Sequence, residues 1–142
     1  MSSISALENI HQKGQFGDYE GKSEKNLIKI SEIKNLIIVQ IVQYKNSNVL
    51  CEEIKIDNLK LSSKVLSVVS NENTRILWNG PRNWLIMTNK KEVLSEIGKN
   101  FSEKDFAVTD ISHSKSIIEL EGDEAKEVLK KGCPFNFNEK DF

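Results

Sequence analysis

Three observations in this 142-residue chain predict an α+β fold, a mainly antiparallel sheet with two or three helices packed on it. The stretch Phe106 to Phe142 reads as strand, turn, strand, helix and proline-stopped exit. The run Leu36-Ile37-Ile38-Val39-Gln40-Ile41-Val42 is apolar on both faces at its start, as a covered central strand requires. Arg75 to Trp78 and Trp84 to Met87 read as the arms of a hairpin.

Residues 1–25 are polar, with Gly14, Gly17 and Gly21 set among charged and amide residues. Such a composition suits a loose terminus before it suits the alternative, an arm that drapes over a partner. The remainder, 26–142, shows no internal repeat, low-complexity tract or linker and reads as a single domain. It opens with two strands, Leu27 to Ile30 and Leu36 to Tyr44, separated by Ser31-Glu32-Ile33-Lys34-Asn35. Between Asn46 and Val69 the pattern is ambiguous: Ser47 to Ile54 fits a short helix, whereas Ile54-Lys55-Ile56 and Leu59-Lys60-Leu61 alternate like strand edges.

In the turn Asn79-Gly80-Pro81-Arg82-Asn83, Pro81 presets the backbone for the second position and Asn83 tolerates unusual conformations. A helix over Lys90 to Lys99 follows, capped by Thr88 or Asn89, with Val93, Leu94 and Ile97 on its buried face. The strands Phe106 to Ile111 and Ser116 to Leu120 flank a turn at Ser112-His113-Ser114-Lys115. Asp123 then caps a helix from Glu124 to Lys131, whose Ala125, Val128 and Leu129 form one apolar stripe for packing on the sheet. Gly132 stands where a left-handed terminating residue is wanted, and Pro134 forbids continuation.

A chain of this length buries roughly 70% of the surface its unfolded form exposes. Its net charge of -1, with Arg75 and Arg82 as its arginines, provides no basic footprint for nucleic acid. No apolar run approaches the roughly 20 residues that cross a bilayer. The start MSSISALENIHQKG lacks the blocks of a signal peptide, so the expected location is the cytoplasm. Cys51 and Cys133 read as reduced, partly buried thiols rather than a disulfide. A prevalence of Lys, Asn and Ile hints at an AT-rich bacterial genome.

Few residues suit catalysis. The two histidines are His11, in the arm, and His113, in the turn. Asp110 and His113 lack a third ligand nearby, and Ser112 has no nucleophile elbow around it. The glycines do not stand at phosphate-binding spacing, which leaves flavin or nicotinamide binding by this chain unsupported. Cys133 lies at a helix C-terminus, where the dipole does not favour a thiolate; a packed structural thiol is the expectation, although Lys130 and Lys131 are close. Trp78 and Trp84 serve either as hairpin core or as interface anchors.

Two blocks carry a family resemblance. The run from Thr109-Asp110-Ile111-Ser112 through Ile117-Ile118-Glu119-Leu120-Glu121-Gly122 to Ala125, Val128-Leu129 and Gly132-Cys133-Pro134, ending in Phe142, looks like the gamma subunit of bacterial heterotetrameric sarcosine oxidase. Ile76-Leu77-Trp78-Asn79-Gly80-Pro81-Arg82-Asn83-Trp84-Leu85-Ile86 is similar to that family's Leu-Gly-Pro-x-x-Trp-Leu segment. The resemblance implies a fold like the folate-binding domain of the glycine-cleavage T-protein, with its C-terminal strands missing beyond Phe142. It implies a non-catalytic subunit of a complex that demethylates sarcosine oxidatively to glycine, releases hydrogen peroxide and passes the one-carbon unit to tetrahydrofolate. FAD, FMN, NAD and tetrahydrofolate are then expected in the alpha and beta subunits and zinc in delta, with none bound by this chain. Gly80, Pro81, Arg82, Trp84, Asp110, Ser112, Gly122 and Cys133 become family-motif or subunit-interface positions. The alternatives are a free-standing T-protein-like folate-binding module or small one-carbon transferase, and a shortened remnant that forms a homodimer.

Overall fold

A computed structural model describes residues 7–9, 14–16, 27–135 and 137. In chain order its strands are β1 (Gly14–Phe16), β2 (Ile28–Ile33), β3 (Ile37–Gln43), β4 (Lys55–Ile56), β5 (Leu59–Lys60), β6 (Val68–Ser70), β7 (Thr74–Gly80), β8 (Asn83–Thr88), β9 (Phe106–Asp110) and β10 (Ile117–Glu121). Its helices are α1 (Glu92–Asn100) and α2 (Ala125–Gly132). All described strand pairs are antiparallel, in agreement with the α+β expectation. The chain divides into two compact units, residues 35–115 and residues 1–34 with 116–142.

The unit 35–115 holds a five-stranded sheet in the order β6-β7-β8-β3-β9. The run that looked interior in sequence is interior in fact, since β3 lies between β8 and β9. Period-two alternation decides which side chains share the core. Val39 and Ile41 of β3 stand opposite Ile86 and Trp84 of β8, and Ile76 of β7 stands opposite Ile86. With Val93, Ile97, Phe101 and Phe106 they form a buried cluster that Cys51, Ile56 and Leu61 complete. Phe101 and Phe106 meet edge to face, centroids 4.9 Å apart.

Helix α1 reaches this cluster through Val93 and Ile97, one turn apart, while Leu94 is half exposed and falls outside the predicted buried face. It starts later than the sequence suggests, and neither Thr88 nor Asn89 caps it. Thr88 is still a strand residue, its hydroxyl sharing a hydrogen with Thr74 Oγ1 at 2.9 Å and accepting from the Lys90 N–H at 3.1 Å. The ambiguous middle resolves into a short 3-10 turn, Cys51–Glu53, and the tight β4–β5 hairpin. Asp57 and Asn58 turn that hairpin with φ of 48° and 65°, the left-handed pair that matches strand twist.

In the other unit, β2 is flanked by β1 and β10. Within residues 1–25 the described part includes β1, which pairs Phe16 with Ile28; Phe142 lies outside the described residues. Strands β9 and β10 do not pair with each other: the chain passes through a 3-10 turn, Ser112–Ser114, and β10 joins β2. Asp123 stands one place ahead of the helix cap and makes no cap, and the Gly122 carbonyl accepts the Ala125 N–H at 3.1 Å. Gly132 is the last helical residue and not left-handed; termination comes from Cys133, whose extended backbone donates to Leu129 O at 2.9 Å. The stripe on α2 is less buried than predicted, with Ala125 and Leu129 half-buried and Val128 exposed. A two-turn helix offers only one such stripe, too narrow to enclose a side chain by itself.

Candidate functional site

The hairpin β7–β8 builds the most distinctive feature of the sheet. Pro81 and Arg82 form its tip, between the paired Gly80 and Asn83, and a register shift separates Trp78 from Gly80. Pro81 holds the second turn position as foreseen. The left-handed position falls to Arg82 at φ 58°, not to Asn83, because the shift moves the turn back by one residue. Two bonds fasten Arg82 to the neighbouring strand end: its carbonyl accepts the Gln43 N–H at 2.9 Å, and its Nη1 donates to Tyr44 O at 2.8 Å.

Trp78 and Trp84 stand directly opposite on this hairpin and so project to the same face. Trp84 is buried in the core and its Nε1 donates to Ser62 O at 2.8 Å. Trp78 is half-buried. Beside them opens a cavity of about 600 Å³, lined also by Gln43, Cys51, Pro81 and Arg82, with Val49, Leu50, Glu52, Glu53, Ser63 and Val65 around it. The Gln43 amide anchors one wall, donating to Val49 O at 2.8 Å and Ser47 Oγ at 3.2 Å. Burial pushes the Cys51 thiol pKa up, with the Arg82 charge pulling weakly the other way, so this thiol stays protonated at neutral pH.

The other motif positions lie elsewhere. Asp110 and Ser112 fasten the far end of β3. Ser112 N–H and Oγ–H both donate to Asp110 Oδ1, and Ser112 Oγ accepts the Ile38 N–H at 2.9 Å. The Ile111 N–H adds a bond to Ile38 O at 2.8 Å. These bonds to Ser112 hold the Asp110 carboxyl below its usual range. Ile38 and Gln43 are five residue steps apart along the strand, about 17 Å, so the Asp-x-Ser motif and the hairpin tip are separate devices. Gly122, in the other unit, has φ 144° and lies against the Leu27 backbone. Cys133 is exposed, contrary to the expected packed thiol, because its extended backbone leaves the helix before the side chain can turn inward. Both cysteines are free.

Sequence reasoning missed a polar cluster around Asp57. Its carboxylate accepts from Lys90 Nζ at 2.9 Å, Thr74 Oγ1 at 2.7 Å and Asn71 Nδ2 at 3.0 Å. Its N–H donates to Glu96 Oε2 at 3.0 Å. The Lys90 bond, followed by those from Thr74 and Asn71, lowers its pKa to about 2. The available signal was the dipeptide Asp57-Asn58 between two apolar residues, a tight-hairpin mark. Among the described residues no group of three or more His, Cys, Asp and Glu side chains gathers to hold a metal, and no helix is long and apolar enough to cross a membrane. His11 lies outside the described residues.

The strands and bonds above define an α+β domain whose motif residues fasten turns and strand ends. No family model matches the chain. It is 34% identical over 72 residues to sarcosine oxidase subunit gamma of Corynebacterium sp. (strain P-1), covering 50% of this chain and 36% of that protein. To the subunit gamma of Corynebacterium sp. (strain U-96) it is 30% identical over 70 residues, covering 49% and 34%. The chain thus spans about a third of the length of the curated relatives it matches. Its fold matches a chain of the heterotetrameric sarcosine oxidase from Corynebacterium sp. U-96 in complex with pyrrole 2-carboxylate, with a TM-score of 0.66 and 21% identity over 79% of this chain and 58% of that one. Over about half of its length the chain is thus similar in sequence to sarcosine oxidase gamma subunits.

Proposed function

We propose that this chain acts as a non-catalytic gamma subunit within a heterotetrameric sarcosine oxidase, contributing to assembly and to the shape of the complex. The observation that carries the reading is the agreement of two comparisons: the sequence matches gamma subunits, and the backbone matches a chain of the heterotetramer. The motif residues support a structural role, since Asp110, Ser112, Arg82 and Gly122 are engaged in backbone fastening or close backbone approach. In this reading the complex demethylates sarcosine to glycine, forms hydrogen peroxide and uses tetrahydrofolate as one-carbon acceptor. The flavins FAD and FMN, NAD and tetrahydrofolate reside in the alpha and beta subunits, zinc in delta, and the complex works in the cytoplasm.

The test is co-expression of the tagged chain with the host's alpha, beta and delta subunits. Affinity purification should yield a yellow complex with sarcosine-dependent peroxide formation. A colourless chain that purifies alone while the other three assemble without it overturns the reading. A second reading, a free-standing folate-binding module or small one-carbon transferase, rests on the cavity beside Trp78, Trp84 and Gln43, whose volume suits a small ligand. Tetrahydrofolate titration of the isolated chain separates the two.

A further inference from the structure

The lip of the cavity beside the hairpin tip has an unusual surface. Leu50, Val65 and Leu66 are 65%, 62% and 66% exposed, and Val68 on the outer strand β6 is also exposed. Single exposed aliphatics are ordinary, but Leu50 and Val65 both line one cavity, and Leu66 follows Val65 in the chain. Leu66 also sits at φ 60°, a backbone conformation that is costly for a bulky non-glycine residue and persists only when its surroundings impose it.

Two carboxylates share this lip. Glu52 and Glu53, on the 3-10 turn that carries Cys51, both line the cavity, and neither forms an ion pair among the described residues. Arg82, which lines the same cavity, is held by a bond to the neutral Tyr44 carbonyl and offsets one of these two charges. The cavity lining therefore sets exposed aliphatic surface beside two carboxylates and one guanidinium, a net negative balance, together with Trp78, Trp84 and Cys51.

We infer that this mouth is the docking site for a segment of another chain that inserts an apolar side chain between Leu50, Val65 and Trp78 and pairs an adjacent lysine or arginine with Glu52 or Glu53. Charge complementarity selects that occupant: the acidic lip favours a cation, and the aliphatic surface gains most by covering from an apolar residue. The inference deepens the gamma-subunit reading and rests on it, the docked segment belonging to one of the other subunits. Trp78, half-buried in the cavity wall, is the expected anchor contact, as tryptophan is where binding energy concentrates.

The experiment uses the four co-expressed subunits with the tagged chain as wild type, as Leu50→Glu/Val65→Glu and as Glu52→Lys/Glu53→Lys. All four substituted positions are exposed or line the mouth, so folding is checked by an unchanged melting temperature of the purified chain. Recovery of the other subunits should fall at least about tenfold with the first pair. It should fall by a smaller factor with the charge reversal, whose loss is greater at low salt. In the wild-type complex, backbone hydrogen exchange at residues 49–53 and 63–68 should slow relative to the free chain. If wild type assembles and both variants assemble equally well, the docking site is overturned while the subunit reading stands. If wild type itself recovers no partner, the subunit reading fails and takes this inference with it. A wild-type chain that dimerises alone, and that Leu50→Glu/Val65→Glu renders monomeric, overturns it in favour of a second copy. Small-ligand binding at the recess that leaves assembly of the variants intact overturns it in favour of a ligand site.

Discussion

The carbonyl oxygen of Leu27 occupies the place that a side chain on Gly122 would need: a β-carbon there would stand 2.8 Å from it and 3.5 Å from the Ile28 α-carbon. Gly122 also has φ 144°, a value that L side chains rarely adopt. The strand β10 ends here, and the chain turns over the start of β2 to enter α2. Gly122→Ala should therefore destabilise the protein by about 2–4 kcal/mol, since backbone atoms rather than a flexible side chain must give way. Gly132→Ala is the control: it is helical with open space around its α-carbon, and should leave stability unchanged or raise it by up to about 1 kcal/mol. Urea midpoints that move equally for the two variants would refute the close-approach account.

That relationship also shows what a sequence hides. Gly122 is legible as a strand breaker, but its need to be glycine comes from Leu27, far away along the chain. The strand β3 was readable because its apolar run is local, and β7 and β8 were readable as a hairpin because Pro81 marks its tip. Partition into sheets was not, because pairing of β10 with β2 rather than β9 depends on long-range register, for which no local pattern codes. Cap residues misled for a related reason: Thr88 was spent on Thr74, a partner visible only after β7 and β8 align. Of the site, the Trp78–Trp84 hairpin was visible in advance. The cavity wall from Gln43, Cys51 and Val65 was not, since three separate segments must converge to build it.

Ser112 serves one backbone partner, the Ile38 N–H, and one carboxylate, Asp110, through a single hydroxyl and its own N–H. Ser112→Ala removes the acceptor for Ile38 N–H and one donor to Asp110. The expected loss is about 1–2 kcal/mol of stability. The Asp110 carboxyl should also titrate higher, back toward its ordinary range, because the hydroxyl bond is the principal cause of its lowered pKa. Carboxyl-detected NMR titration of the two proteins checks this. An Asp110 midpoint that does not rise in the variant would contradict the assignment.

The two thiols should differ sharply in reactivity. Cys133 is exposed, whereas Cys51 is buried and its pKa is raised by that burial, so little thiolate is available there. A disulfide-exchange reagent such as DTNB should label one thiol quickly in the native protein and the second at least about tenfold more slowly, with denaturant merging the phases. Cys133→Ser should abolish the fast phase alone. A fast phase that survives this substitution would mean that Cys51 is reached from the cavity.

Asp57 makes stability depend on acid. Its folded pKa of about 2 lies below the ordinary 3.8, so the folded state binds its proton more weakly than the unfolded chain does. The stabilisation is therefore complete above roughly pH 4 and is lost as pH falls through the window down to about 2. Lys90 is the largest cause, followed by Thr74 and Asn71. Asp57→Asn keeps the side-chain shape and suits the left-handed φ of 48°, so it isolates the charge. At pH 7 it should cost about 1–2 kcal/mol, a figure already reduced for solvent screening around the partly exposed Lys90. The difference between wild type and variant should shrink steadily between pH 4 and pH 2, and Lys90→Met should flatten the wild-type slope over the same range. Urea unfolding at a series of pH values measures all three. A gap that stays constant down to pH 2 would mean that the carboxylate is not held by Lys90, and that the β4–β5 hairpin is fastened to the sheet by Glu96 and Asn71 through its backbone alone.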